Sequence, residues 1–385
     1  MMYEEQINIL FDKDKGQLSD FQKATVEYLY ERMYNEGQDR MLVADEVGLG
    51  KTWVAKGLIA KAFEYELAKN PDSSFNVFYI CSNQQLSAQN LKSLNFTKRK
   101  ECIGSQVNRI SLLAKNPKTT KEKFCIYSLT PDTSFSDKSS LGIKEERLIL
   151  YSILVTDKEL HNHYKRLRQF LKGYYGLDNE LWKRECRSNN ASRRRNELRP
   201  GLIDKFIDHI KHIEVNEQSF PFCYEYYPQT GSISLLELIR VIVGENITSK
   251  LDRRIYNEAI GALRKALTEL CLSYMEADLF IMDEFQRYSQ LIDSNDDSES
   301  SIIARKVFNK PDAKILMLSA TPFKAYTTQF DERNGEQHYK EFTRVLKFLY
   351  EGKDINWMDH EHLRSGLFTK MLSLKNADDK EELLK

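Results

Sequence analysis

The sequence predicts an α/β fold built on a parallel sheet, with a mostly helical insertion. Three observations predict it. Five short apolar runs read as strands: Met41–Ala44, Val77–Cys81, Phe124–Leu129, Leu279–Asp283 and Ile315–Leu318. Several are nearly continuous rather than alternating, as strands covered on both faces are. Helical patterns separate the first pairs, which gives a βαβ rhythm and a doubly wound arrangement. The rhythm then breaks between about Leu141 and Thr268, a stretch of more than a hundred residues and far longer than an ordinary crossover.

Each element has a local reason. Ser19 or Asp20 is placed to cap a helix that leads to the first strand. The segment Thr52–Lys69 sets Val54, Leu58, Ile59 and Phe63 on one helical face. The long central stretch is charged and helical in pattern, with one turn-rich interruption from Ser219 to Gly231. Asp293–Ser301 reads as an acidic polar loop. The expected organisation is an α/β lobe from residues 1–140 and 269–330, a helical insertion at 141–268, and a helical tail or linker at 331–385.

Composition excludes several classes. Aromatics at 11% and a formal net charge of zero argue against wholesale disorder. The zero is a cancellation. Lys92–Lys123 holds nine basic residues against two acidic, a net +7. Lys165–Arg199 holds eleven against four, again +7, with Tyr164, Phe170, Tyr174, Tyr175 and Trp182 interleaved or adjacent. Basic residues mixed with aromatics suit a phosphate track with base stacking, and equally a solvated helical face over core aromatics. The longest apolar-rich run, Leu148–Val155, is far short of the ~20 residues of a membrane span, so no membrane partner is expected. No secretory signal is visible. Six cysteines without a Cys-x-x-Cys spacing argue against zinc and suit a reducing, cytoplasmic setting. His161-Asn162-His163 spells the letters of a nuclease motif, but further ligands at set distances are not evident.

The chemistry concentrates at Ala44-Asp45-Glu46-Val47-Gly48-Leu49-Gly50-Lys51-Thr52, between the first strand and a helix. Gly48 and Gly50 let the backbone fold into a nest of N–H groups aimed at phosphate oxygens. The helix N-terminus adds partial positive charge. Lys51 can reach the β and γ phosphates of ATP, and Thr52 can offer a hydroxyl to Mg2+. Asp45 stands where the general phosphate-loop pattern has its first glycine.

Asp45-Glu46-Val47-Gly48-Leu49-Gly50-Lys51-Thr52 resembles motif I of superfamily 2 helicases and translocases, above all the Swi/Snf-like branch, where an Asp commonly holds the place of Asp45. The resemblance implies a RecA-like P-loop NTPase lobe, a carboxylate pair after a later strand, and ATP with Mg2+ as cofactors. Leu279–Asp283 followed by Glu284-Phe285-Gln286 supplies the pair. Asp283 would hold magnesium and Glu284 would orient or deprotonate the attacking water. Gln286 is a departure from the usual motif II letters, and its role is open. Ser319-Ala320-Thr321-Pro322 is similar to motif III, in which Ser319 and Thr321 would couple nucleotide state to nucleic-acid grip. Gln22 stands where such proteins read adenine; an exposed glutamine after a capping turn is the plain alternative. Ser82, Asn83 and Gln89 match the position of motif Ia, and Thr130 that of motif Ib. Together with Arg109 they are candidates for strand-backbone contacts, against helix capping as the alternative.

Only 63 residues follow Pro322, too few for a second RecA-like lobe. The expectation is therefore the ATP-binding half of a DNA helicase or translocase, similar to bacterial helicases associated with phage defence. The second lobe would lie in a longer chain or a separate subunit. Hydrolysis by this half alone should be weak, because cross-lobe arginines are missing. The competing expectation is a non-motor ATP switch that binds a protein partner through the insertion. A GTPase is disfavoured because no guanine-reading Asn-Lys-x-Asp occurs.

Overall fold

The computed structural model describes residues 2–12, 17–44, 48–104, 109–115, 122–131, 142–173, 176, 178–226, 233–244, 253–285, 291–292, 299–310, 313–319 and 338–351. The strands are β1 (Arg40–Ala44), β2 (Phe75–Ile80), β3 (Phe124–Leu129), β4 (Glu214–Val215), β5 (Ile233–Ser234), β6 (Leu279–Asp283) and β7 (Lys314–Ser319). Among the described residues, five of them form one sheet in the order β1-β7-β6-β2-β3, with every neighbour parallel. The α/β class and the parallel sheet are therefore observed, and each of the five expected strands starts within two residues of its predicted place.

Near-continuous apolar runs are what this sheet requires, because it has a core on each face. Val77, Tyr79, Leu279, Ile281, Leu316 and Leu318 point into the first core. Their neighbours Phe78, Ile80, Phe280, Met282, Ile315 and Met317 point into the second. The first core is covered by α1 (Met2–Phe11), α2 (Asp20–Tyr30), α3 (Lys51–Lys69) and α4 (Gln84–Leu94). The starts of two of these helices follow from capping. Ser19 and Gln22 form a capping box at α2, and the Asn83 side chain accepts from the Gln85 and Leu86 amides at α4.

The second face is covered by the insertion together with the helices Glu299–Phe308 and His338–Leu349, whose Phe308 and Phe348 join its core. The insertion's helices run from Lys144–Leu154 to Arg253–Leu272, so the last one passes the expected boundary at residue 268. Ile149, Leu167, Phe206, Ile239 and Leu263 share one continuous core with Phe78, Met282 and Met317 of the sheet. The insertion is thus packed on the sheet as part of the helical layer on one face. The short antiparallel pair β4–β5 brackets its turn-rich segment.

Two buried polar knots hold this layer. Glu146 lies 3.2 Å from Arg264, 3.6 Å from Arg109 and 2.6 Å from the Ser111 hydroxyl. Burial pushes its carboxyl up, but Arg264, Ser111 and Arg109 together outweigh that and leave it below the usual range. Arg147 donates to the Leu171 and Lys172 carbonyls and to the Tyr256 hydroxyl at 2.8, 3.0 and 2.8 Å. Both knots join the first helix of the insertion to distant parts of the same layer. Among the described residues, no helix is long and apolar enough to cross a membrane.

Candidate functional site at the carboxyl ends of β1, β6 and β7

Parallel strands put their carboxyl ends along one edge, and open α/β sheets bind ligands in the crevice there. β7 separates β1 from β6, and the three ends are level: Ala44 pairs with Ser319, and Asp283 with Leu318. At ~4.8 Å between strands, the start of the phosphate loop and the Asp283–Glu284 pair face each other across roughly 10 Å.

Gly48 has φ +94° and Gly50 has φ +80°, conformations that side chains rarely adopt. Gly50 is also the N-cap of α3, and its carbonyl accepts from the Trp53 and Val54 amides. Lys51 and Thr52 are the first two residues of that helix. Gln22 performs two tasks at once. Its side-chain oxygen accepts from the Ser19 amide at 3.1 Å, and its amide nitrogen donates to the Leu49 carbonyl at 3.2 Å. The capping-box partner at the third position of α2 is therefore also a brace on the loop. Phe21 and Trp53 present exposed rings on the elements that this brace joins.

Asp283 ends β6, and the Tyr79 hydroxyl donates to its carboxylate. Asn90 of α4 donates in turn to the Tyr79 oxygen at 2.7 Å. Burial raises the Asp283 pKa, and the neighbouring Glu284 charge raises it further, while Tyr79 and Lys51 pull it down. Burial first, then Asp283, drive the Tyr79 hydroxyl far above its ordinary value, so it stays a donor. Glu284 has φ +49°, an uncommon conformation outside glycine that costs of order 1–3 kcal/mol. Tyr79 and Asn90 escaped the sequence reading. Tyr79 sits inside an apolar run and looked like core, and Asn90 was one polar residue among several.

The other candidates separate. Ser319 is buried at the end of β7. Ser82 is half-buried, and its Oγ has no hydrogen-bond partner among the described residues. Asn83 is committed to the α4 cap, while Gln89 is exposed on that helix. Thr130 is buried. Arg109 turns inward to Glu146, with its side chain 17% exposed. Asp45, Glu46, Gln286 and Thr321 lie outside the described residues.

The donor set fits a small, hard divalent cation. Two adjacent carboxylates at the end of β6 and a hydroxyl from the first turn of α3 are oxygen donors of the kind such a cation takes. The edge thus presents a glycine-rich turn at a helix N-terminus, with Lys51 and Thr52, level with the Asp283–Glu284 carboxylates. No protein-family model, curated protein or solved structure matches this chain.

Proposed function

We propose that the chain is the ATP-binding, RecA-like half of a nucleic-acid helicase or translocase, and that it hydrolyses ATP when a second lobe completes the site. One observation carries the reading: a glycine-rich loop and an Asp-Glu pair end two parallel strands separated by one strand. Lys51 and the amides of the loop bind the phosphates, and the α3 N-terminus aligns its dipole with their charge. Tyr79 and Asn90 fix the Asp283 carboxylate, which with Thr52 would hold magnesium. Bound there, magnesium supplies charge neutralisation on the transferred phosphoryl group. Glu284 orients or deprotonates the attacking water, and Gln22 supports the loop and reads adenine. Ser319, between the two halves of the site, couples it to the nucleic-acid grip.

Lys51→Ala should weaken ATP binding by about 10²-fold, the loss of charge-assisted hydrogen bonds to two phosphates. Glu284→Gln should leave ATP binding intact and stop turnover in the complete assembly. Equilibrium binding and steady-state ATPase assays check both, and unchanged turnover in both variants would sink the reading.

The second reading is a non-motor ATP switch. Its support is that several basic residues of the +7 stretches serve internal pairs: Arg99 with Glu122, Arg109 with Glu146, and Arg194 with Glu185. DNA stimulation of the ATPase in the two-lobe assembly, with a steep salt dependence, belongs to the motor alone.

A further inference from the structure

The helical insertion holds a cleft of about 870 Å³, within the range of small-ligand sites. It is lined by residues between Tyr151 and Arg195 and shares none with the phosphate loop. Five cationic side chains line it: Arg168, Lys183, Arg184, Arg187 and Arg195. Among the described residues no carboxylate lines it. The acids next to lining residues in sequence are turned elsewhere: Glu185 to Arg194 at 3.2 Å and Asp157 to Arg240 at 2.7 Å. Lys183 has an exposed partner in Glu180, but Arg168, Arg184 and Arg187 make no ion pair among the described residues. Like charges gathered in excess of their counter-charges repel one another, and an anion relieves that repulsion.

Two further features point the same way. Ser188, Asn189 and Asn190 line the cleft as the first turn of the helix Ser188–Asn196. That helix has no side-chain cap and no acid in its first turn, so its free amides and dipole add to the positive field. Tyr164, which also lines the cleft, is 43% exposed, so a flat group can stack on it.

We propose that this cleft is a second phosphate site, separate from the ATP loop, that takes a nucleotide phosphate with its base against Tyr164. A free mononucleotide and one nucleotide of a single strand present the same chemistry. The proposal stands whether or not the phosphate loop binds ATP.

The test uses the full chain carrying Lys51→Ala, so that the loop does not contribute. AMP, adenosine and an eight-residue oligothymidylate are titrated against it. Asn189→Glu is then added, at an exposed position in the first turn of the helix. An acid there favours the helix dipole, so the thermal midpoint should hold or rise, while the bound anion is repelled. Affinity should fall at least about tenfold, a repulsion equal in size to one charge-assisted contact. Arg187→Ala, also exposed, repeats the test by removing a charge. AMP binding that is lost in these variants, with adenosine at least about tenfold weaker, identifies a free-nucleotide site. Variant-sensitive binding of the oligothymidylate without AMP binding identifies a strand site. Affinities for both ligands that are unchanged by both substitutions, or no binding of either ligand, overturn the proposal.

Discussion

Gly50 carries two constraints that no other side chain meets. Its φ of +80° is strained for any residue with a Cβ. An added Cβ would also lie 2.3 Å from Gln22 Nε2, which must then leave the Leu49 carbonyl. Gly50→Ala should cost about 1–2 kcal/mol from backbone strain and weaken nucleotide binding together with it. Urea unfolding and nucleotide titration on one preparation check this; stability unchanged at full affinity would contradict it. Gln22 shows how far the residue scale is legible in a sequence. The capping pattern and the candidate adenine reader were both visible there, but as alternatives. One side chain with an acceptor at one end and a donor at the other serves the cap and the loop together.

At the scale of elements, strands were legible because burial on two faces leaves nearly unbroken apolar runs. Helix starts were legible where a polar cap precedes them. The Asn83 side chain accepts from two amides of the first turn of α4, at 2.9 and 3.3 Å. Asn83→Ala should lower stability by about 1 kcal/mol. If capping is its whole task, nucleic-acid affinity in the two-lobe assembly should not move; denaturant midpoints and DNA titration together decide it. The pairing of charges was not legible. Glu146 meets Arg109 and Arg264, which stand 37 residues before it and 118 after it in the chain. A local charge count of +7 cannot say which cations face inward, because that depends on how distant helices pack. The cleft beside Arg168 and Arg187 was hidden for the same reason: its charges were counted, but their convergence is a tertiary fact.

For the whole molecule, the edge of the sheet opposite the candidate site carries a residue with a half-buried carboxyl that links three strands. Asp278 accepts from the Asn76 amide with its carboxylate at 2.6 Å, and its carbonyl accepts from the Lys314 amide. It thereby ties the starts of β2, β6 and β7 together. Burial, with Glu66 and Glu276 adding to it, raises its carboxyl to about 6. An unfolded aspartate titrates near 4, so the folded chain holds this proton through the window in which the unfolded chain loses it. The group's stabilising contribution is therefore full below about pH 4 and is lost as pH rises to about 6. Asp278→Asn keeps a side-chain carbonyl to accept from Asn76 and removes the titration. Urea midpoints of the two proteins should diverge between pH 4 and 6, the wild type losing ground to the variant. Parallel curves would show that Asp278 does not titrate in this range.

The two-faced sheet has one more consequence, for how the molecule can be watched. All six cysteines are free and buried. Cys81 and Cys102 belong to the core under α1–α4, while Cys186, Cys223 and Cys271 belong to the core under the insertion. Burial holds the Cys102 thiol up at about 11 and the Cys186 and Cys271 thiols up at about 12, so the native state offers almost no thiolate to a labelling reagent. Modification must wait for local opening. The chain thus carries its own pair of clocks, one on each side of the sheet. Their rates, read peptide by peptide in a mass spectrometer, report whether the insertion layer and the α1–α4 layer open together or in turn.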